Sequence, residues 1–134
     1  MGAILEHKHL IIRAELKNPP KCVEAIQDWM KLLVANIDMK ILMGPYAVYS
    51  DMIGNQGLTA VTIIETSHIA MHVWDEVNPA LMQLDVYTCS KLNVDDVFLA
   101  LSDFMPVNVE FKYIDREHDL TLLDKGVISE ILPL

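Results

Sequence analysis

The chain has 134 residues, 52% of them hydrophobic, with 19 acidic against 10 basic side chains and a net charge of −9. That length and apolar content fit one domain, spanning 1–134, with a sizeable core, and they exclude a disordered segment. The negative charge argues against partners recognised by neutralising phosphates, whether nucleic acid or an anionic membrane surface.

In chain order, His9–Leu16 alternates, with Leu10, Ile12, Ala14 and Leu16 on one face and His9, Ile11, Arg13 and Glu15 on the other, as a first strand requires. Asn18–Lys21 ("NPPK") breaks it. From Lys21 to Ile37 the apolar positions Val23, Ile26, Met30, Leu33, Val34 and Ile37 recur at helical spacing and predict an amphipathic helix. "KILMG" (Lys40–Gly44) reads as a short strand. Pro45–Gly57 reads as a loop, with room for a strand around Ala47–Tyr49. Gly57–Glu65, His68–Trp74 and Leu81–Cys89 are strand-like, the last two separated by the turn Asp75–Ala80. "NVDDVFLALSDF" opens with an Asn N-cap and early acids and predicts a second helix. "PVNVEFKYI" is a last strand, and the tail after Asp115 has no clear period. The order β-α-β-β-β-β-α-β points to an α+β, two-layer sandwich: one mostly antiparallel sheet with two helices on one face.

Strand parity sorts the chemistry. His68, Ala70, His72 and Trp74 share one face of their strand, and Gln83, Asp85, Tyr87 and Cys89 share one face of the next. The complementary sets, Ile69, Met71, Val73 and Leu84, Val86, Thr88, belong under the helices. If the two strands pair as a hairpin, the polar and aromatic groups converge on the open face. A solvated face would serve as well for any one of these residues, but Trp, Tyr, Cys and two His together are an unusual choice for one. The His-x-x-x-His spacing is a metal motif on a helix; on a strand the two rings lie about 13 Å apart, so zinc is disfavoured and no metal is expected. A Cys–His nucleophile pair is open, without a recognisable local signature. Two cysteines make no disulfide framework, no secretory signal precedes them and the apolar runs stop short of a membrane span, so a cytoplasmic location is expected.

"TSHIAMHVWDE" (Thr66–Glu76) followed by "LDVYTCS" (Leu84–Ser90) resembles the prokaryotic S-adenosylmethionine decarboxylases, whose motif runs Glu-Ser-His-x-x-x-His, then Trp-Pro-Glu, then Asp-x-Phe-Thr-Cys. The likeness extends from "HLIIRAEL" through Cys89 and is loose in the last third of the chain. The resemblance implies a proenzyme that cleaves itself between Thr66 and Ser67. Ser67 would become a pyruvoyl group, the cofactor of the reaction, and would bind substrate covalently. It implies that His72 and Thr59 assist processing, that Cys89 is the proton donor after carbon dioxide leaves, that Trp74 stacks on adenine and that Glu76 hydrogen-bonds the ribose hydroxyls. These types suit the chemistry: a pyruvoyl carbonyl condenses with the substrate amine and takes up the electrons of decarboxylation, a reactive thiol needs a polar or charged partner, for which His68 or His72 is placed, and an aromatic plane accepts a sulfonium cation.

Two positions depart from the pattern. Thr66 stands where the family has Glu, and Arg13 stands on the first strand where the family carries an acid. Only the carbonyl of residue 66 reacts, so Thr is compatible with cleavage. Arg13, on the face of His9, brings a cation toward the substrate site. The expectation is therefore a self-processing S-adenosylmethionine decarboxylase of polyamine (spermidine) synthesis, with S-adenosylmethionine contacting Trp74, Glu76, Arg13 and His68. The alternatives are a pyruvoyl-dependent decarboxylase of another amino acid, such as ornithine or arginine, and an uncleaved S-adenosylmethionine-binding homologue. The open aromatic face, and the family's habit of pairing two units, predict a homodimer stacked sheet to sheet.

Overall fold

The computed structural model describes residues 6–129. Seven strands form one sheet: β1 (Lys8–Leu16), β2 (Ile41–Ser50), β3 (Gly57–Ile64), β4 (Ser67–Trp74), β5 (Ala80–Thr88), β6 (Pro106–Asp115) and β7 (Leu122–Ile128). Their order is β2-β3-β4-β5-β1-β6-β7, with every neighbouring pair antiparallel. Helices α1 (Val23–Asn36) and α2 (Val94–Leu101), the latter extended by a 3-10 turn at Ser102–Phe104, cover the same side.

The parity expected from the sequence is the parity observed. Leu10, Ile12, Ala14 and Leu16 of β1, Ile69, Met71 and Val73 of β4 and Leu84, Val86 and Thr88 of β5 are buried against Ile26, Met30, Leu33 and Val34 of α1 and Val97 and Leu101 of α2. Each fully buried Leu or Ile contributes about 1.5–3 kcal/mol, so this one-sided apolar layer dictates which face of the sheet is left for chemistry. The helices are stopped locally. Asp38, with φ of 61°, ends α1 while its N–H and that of Met39 return to Ala35 and Val34. Asn93 caps α2 by accepting from the Asp95 N–H at 3.1 Å. Trp29 Nε1 donates to the Ala100 carbonyl at 3.0 Å and joins the two helices.

Two expectations are corrected. Pro45–Gly57 is not simply a loop: β2 runs from Ile41 through Pro45 to Ser50, with register shifts between Ile41 and Met43 and between Met43 and Tyr46. An edge strand tolerates proline because one side has no ladder to fill, and bulges absorb the irregular Gly-Pro step. The tail also carries a strand, β7, paired with β6. Its Leu122, Leu123, Asp124 and Lys125 are all exposed, so no burial alternation marks it in the sequence. At the other end of the sheet, Gly57 has φ of 150°, and a Cβ there would lie 1.7 Å from the Val73 carbonyl oxygen. Only glycine lets β3 begin so close to the end of β4, where Trp74 emerges.

Candidate active site

The β3–β4 hairpin turns through Glu65 and Thr66, and Ser67 opens β4 with φ of 144°, a conformation L residues rarely adopt. Ser67 lies between Ile64 of β3 and Thr88 of β5. The carbonyl oxygen of Thr66, one bond before Ser67, accepts a hydrogen bond from the Cys89 N–H at 2.8 Å. Beneath it, the Thr66 hydroxyl accepts from the buried Thr88 hydroxyl at 3.0 Å and donates to the Met39 sulfur at 3.3 Å. Cys89 falls one residue beyond β5, so along the strands it belongs to the Ser67 corner, away from the His72 end.

The open-face residues therefore do not converge on one point. Near Ser67, His68 and Tyr87 are paired across β4 and β5, and Tyr87 is paired with His9 across β5 and β1. Asp85 Oδ1 receives His9 Nε2 at 3.1 Å and is approached by His68 Nε2 at 3.3 Å. Arg116 closes the group, its guanidinium carbon 3.8 Å from the centre of the Tyr87 ring and its Nη1 3.2 Å from His9 Nδ1. Partial burial pushes the Asp85 carboxyl up, but the hydrogen bonds from His9 and His68 outweigh it and hold it below the usual carboxylate range. Farther along β4, His72 Nδ1 lies 3.2 Å from the Thr59 hydroxyl of β3. Five residues of strand separate Ser67 from His72, about 16 Å of rise.

Trp74 and Glu76 are engaged elsewhere. Trp74 Nε1 donates to Asn55 Oδ1 at 2.9 Å, and the two Glu76 oxygens accept from the Gln56 and Gly54 N–H groups at 2.8 and 3.0 Å. Those two backbone bonds hold the Glu76 carboxyl below its ordinary range. Both side chains strap the loop between β2 and β3 to the end of β4. Arg13 stands on the open face, pairs with Glu15 at 3.4 Å, and lines a cavity of about 320 Å³ with His72, Gln83 and Asp85. A larger depression of about 480 Å³ over β1, β6 and β7 shares only Ile11 and Arg13 with it. Arg116 had no signal in the sequence; it lies just past β6, and only the sheet order carries it across β1 to Tyr87.

A pyruvoyl group implied by this motif would arise from Ser67 itself. The residues present fit that origin: a serine in a sparsely populated backbone conformation follows a carbonyl whose oxygen is already hydrogen-bonded. Asp115, Glu117 and His118 bring three oxygen and nitrogen atoms together at the end of β6. Asp115 is already occupied there by His118, by the Glu117 N–H and by Lys8, so that cluster reads as a structural tie.

Comparison with known proteins bears on the fold and the family. The chain is 39% identical over 51 residues to the S-adenosylmethionine decarboxylase proenzyme of Methanococcus aeolicus, an alignment covering 37% of this chain and 42% of that one. It is 31% identical over 71 residues to the arginine decarboxylase proenzyme of Aeropyrum pernix, covering 51% and 52%. The chain thus spans about half the length of the curated relatives it matches. The crystal structure of the adenosylmethionine decarboxylase from Aquifex aeolicus shares the fold, with a TM-score of 0.65 over 97% of this chain and 94% of that one, at 19% identity. The profile of the S-adenosylmethionine decarboxylase family matches residues 10–117, which take in most of β1, all of β2 to β6 and both helices, and on that match the chain belongs to the S-adenosylmethionine decarboxylase family.

Proposed function

We propose that this protein is a self-processing, pyruvoyl-dependent S-adenosylmethionine decarboxylase acting in spermidine synthesis. The observation that carries the reading is the hydrogen bond from the Cys89 N–H to the Thr66 carbonyl oxygen, 2.8 Å long, beside a serine with φ of 144°. A donor fixed on that oxygen stabilises the negative charge that develops when the carbonyl carbon is attacked. Ser67 Oγ adds to that carbon, the Thr66–Ser67 C–N bond gives way, and an ester replaces the amide. Loss of the Ser67 α-proton then eliminates Thr66 as a carboxylate and leaves a dehydroalanine, whose imine tautomer takes up water and releases ammonia, so that residue 67 ends as a carbonyl and the blocked start of a second chain. The resulting carbonyl supplies the electron sink for decarboxylating an amino acid. Cys89, whose backbone is pinned at that corner, is the proton donor.

Thr59 and His72 are hydrogen-bonded to each other but lie about 16 Å of strand from Ser67. They reach a Ser67 only if it belongs to a second copy. The open face carries Ile11, Tyr46, Val48, Ile63 and Val127, each at least 40% exposed, and a twofold stacking of two such faces buries them. An axis near the small Ala70, midway along β4, sets the Ser67 end of one copy against the His72 end of the other.

Intact mass under denaturing conditions tests the reading. The wild-type chain gives two fragments of similar size, the second beginning at residue 67 without a free amine, and Ser67→Ala gives one mass at 15.2 kDa. A single 15.2 kDa species from both would leave an uncleaved, S-adenosylmethionine-binding homologue. A second substrate reading has its own support. Arg13 stands beside His72 in the open-face cavity, Trp74 and Glu76 are occupied by the loop, and one relative is named an arginine decarboxylase proenzyme. Carbon dioxide release from labelled S-adenosylmethionine, ornithine and arginine, compared side by side, decides the substrate.

A further inference from the structure

We infer that His9 is a positioning residue for His68, acting through Asp85 and held in one tautomer by Arg116; the inference rests on the self-processing reading above. A guanidinium only donates hydrogen bonds, so the Arg116 Nη1 contact at 3.2 Å requires His9 Nδ1 to be the unprotonated, accepting nitrogen. The proton of the neutral ring then sits on Nε2, which donates to Asp85 Oδ1 at 3.1 Å. His9 is saturated on both nitrogens and has none left for chemistry. Arg116 is itself steadied by the Tyr87 ring at 3.8 Å, and that ring packs against both imidazoles, with centroids 5.5 Å from His9 and 5.6 Å from His68.

His68 differs from His9 in two respects. It follows Ser67 directly in the chain, and among the described residues its Nδ1 has no hydrogen-bond partner, while its Nε2 faces the oxygen that His9 already holds in place. Asp85 thus keeps its carboxylate aimed at His68 because His9 pins it from the β1 side. His68 is the one imidazole of this cluster with a free nitrogen for a proton moving at residue 67. A second-layer partner that fixes the orientation and tautomer of a working histidine is worth roughly 10–100-fold where such arrangements have been dissected around metal-bound histidines.

The test compares His9→Gln with His9→Phe. Gln retains a donor for Asp85 and an acceptor for Arg116; Phe retains only the ring's shape. Time-resolved splitting of freshly translated chain, read on a denaturing gel, is expected to slow at least about tenfold in His9→Phe and to recover most of that loss in His9→Gln. Equal slowing in both variants would overturn the proposal, because His9 would then carry a proton itself. So would a His9→Phe chain that splits at the wild-type rate. A second readout needs no splitting and remains if the wild-type chain never cleaves or if His9→Phe fails to fold. In the Ser67→Ala chain, ¹⁵N ring shifts near pH 7 are expected to report Nε2–H at His9, and that signal is expected to change in Arg116→Gln. An Nδ1–H ring at His9, or a spectrum indifferent to Arg116→Gln, refutes the network whatever the fate of the Thr66–Ser67 bond.

Discussion

Ser67 and Cys89 lie 22 positions apart in sequence and meet because Thr66 and Cys89 close the two ends of neighbouring strands with one backbone hydrogen bond. That bond uses the Cys89 amide and not its thiol, so the two roles separate by mutation. Cys89→Ala keeps the N–H on the Thr66 carbonyl and is expected to split as the wild type does, but to lose sustained turnover, because the carbanion left by decarboxylation is then protonated at the wrong place. Intact mass paired with a progress curve measures both. Full, lasting activity in the variant would remove the thiol from the mechanism, and failure to split would mean that the thiol also serves cleavage. The residue scale also shows why a motif position is not a contact. Glu76 occupies the position implied for ribose recognition, yet its two oxygens hold the backbone of Gly54 and Gln56, so a diol reaches it only by replacing those bonds.

Among the elements, the junction of β1, β6 and β7 is the one the sequence did not announce. Asp115 ends β6, accepts from His118 Nδ1 at 2.9 Å and from the Glu117 N–H at 2.8 Å, and lies 3.5 Å from Lys8 Nζ. The His118 and Glu117 bonds lower its carboxyl to about 2, and the same contact raises His118. A carboxyl lowered by folding stabilises above its unfolded value and loses that stabilisation as pH falls through the folded one. A histidine raised by folding stabilises below its unfolded value and loses it as pH rises through the folded one. Asp115→Asn is therefore expected to lower the melting temperature most between about pH 4.5 and roughly pH 6. The gap to wild type should narrow as pH falls toward about 2, and narrow again above neutrality. Melts followed by circular dichroism across that range check it; a gap independent of pH would mean that the tie acts only through shape.

For the whole molecule, the decisive quantity is the length of β4. Ser67 opens the strand, His72 lies five residues on, and no side chain spans about 16 Å. The proposed twofold dimer would solve this by exchanging ends between copies, and it predicts complementation. His72→Ala alone should remain uncut, and so should Ser67→Ala alone. Co-expressed, they should yield splitting of the His72→Ala chain, whose Ser67 then faces an intact His72 of the other copy. Light scattering should give twice the chain mass. If the His72→Ala chain stays whole in the mixture, or the particle has the mass of a single chain, the shared site is wrong.

The period of two in β1, β4 and β5 and the helical spacing of Val23–Ile37 determined on their own which face is buried, since burying apolar area is the largest favourable term and those positions allow only one arrangement. The Ser-His-x-x-x-His stretch likewise determined the family and the expected break at Thr66–Ser67. What the sequence could not hold is distance between strands. Parity says which side of a sheet a residue takes, but rows along the strand are set by register, and register here is a property of paired strands far apart in the chain. Register set Cys89 beside Ser67 and Thr59 beside His72, and brought His9 of β1 to Asp85 of β5. Tertiary structure alone also placed Arg116, which follows a strand that no local pattern connects to β5, joined the strand read at Lys40–Gly44 through Pro45 to the one around Ala47–Tyr49 as a single β2, and made β7 a strand despite its lack of alternation. Edge strands are held by backbone hydrogen bonds to a neighbour on one side, and every residue but proline can make those bonds, so no apolar alternation is needed to form them.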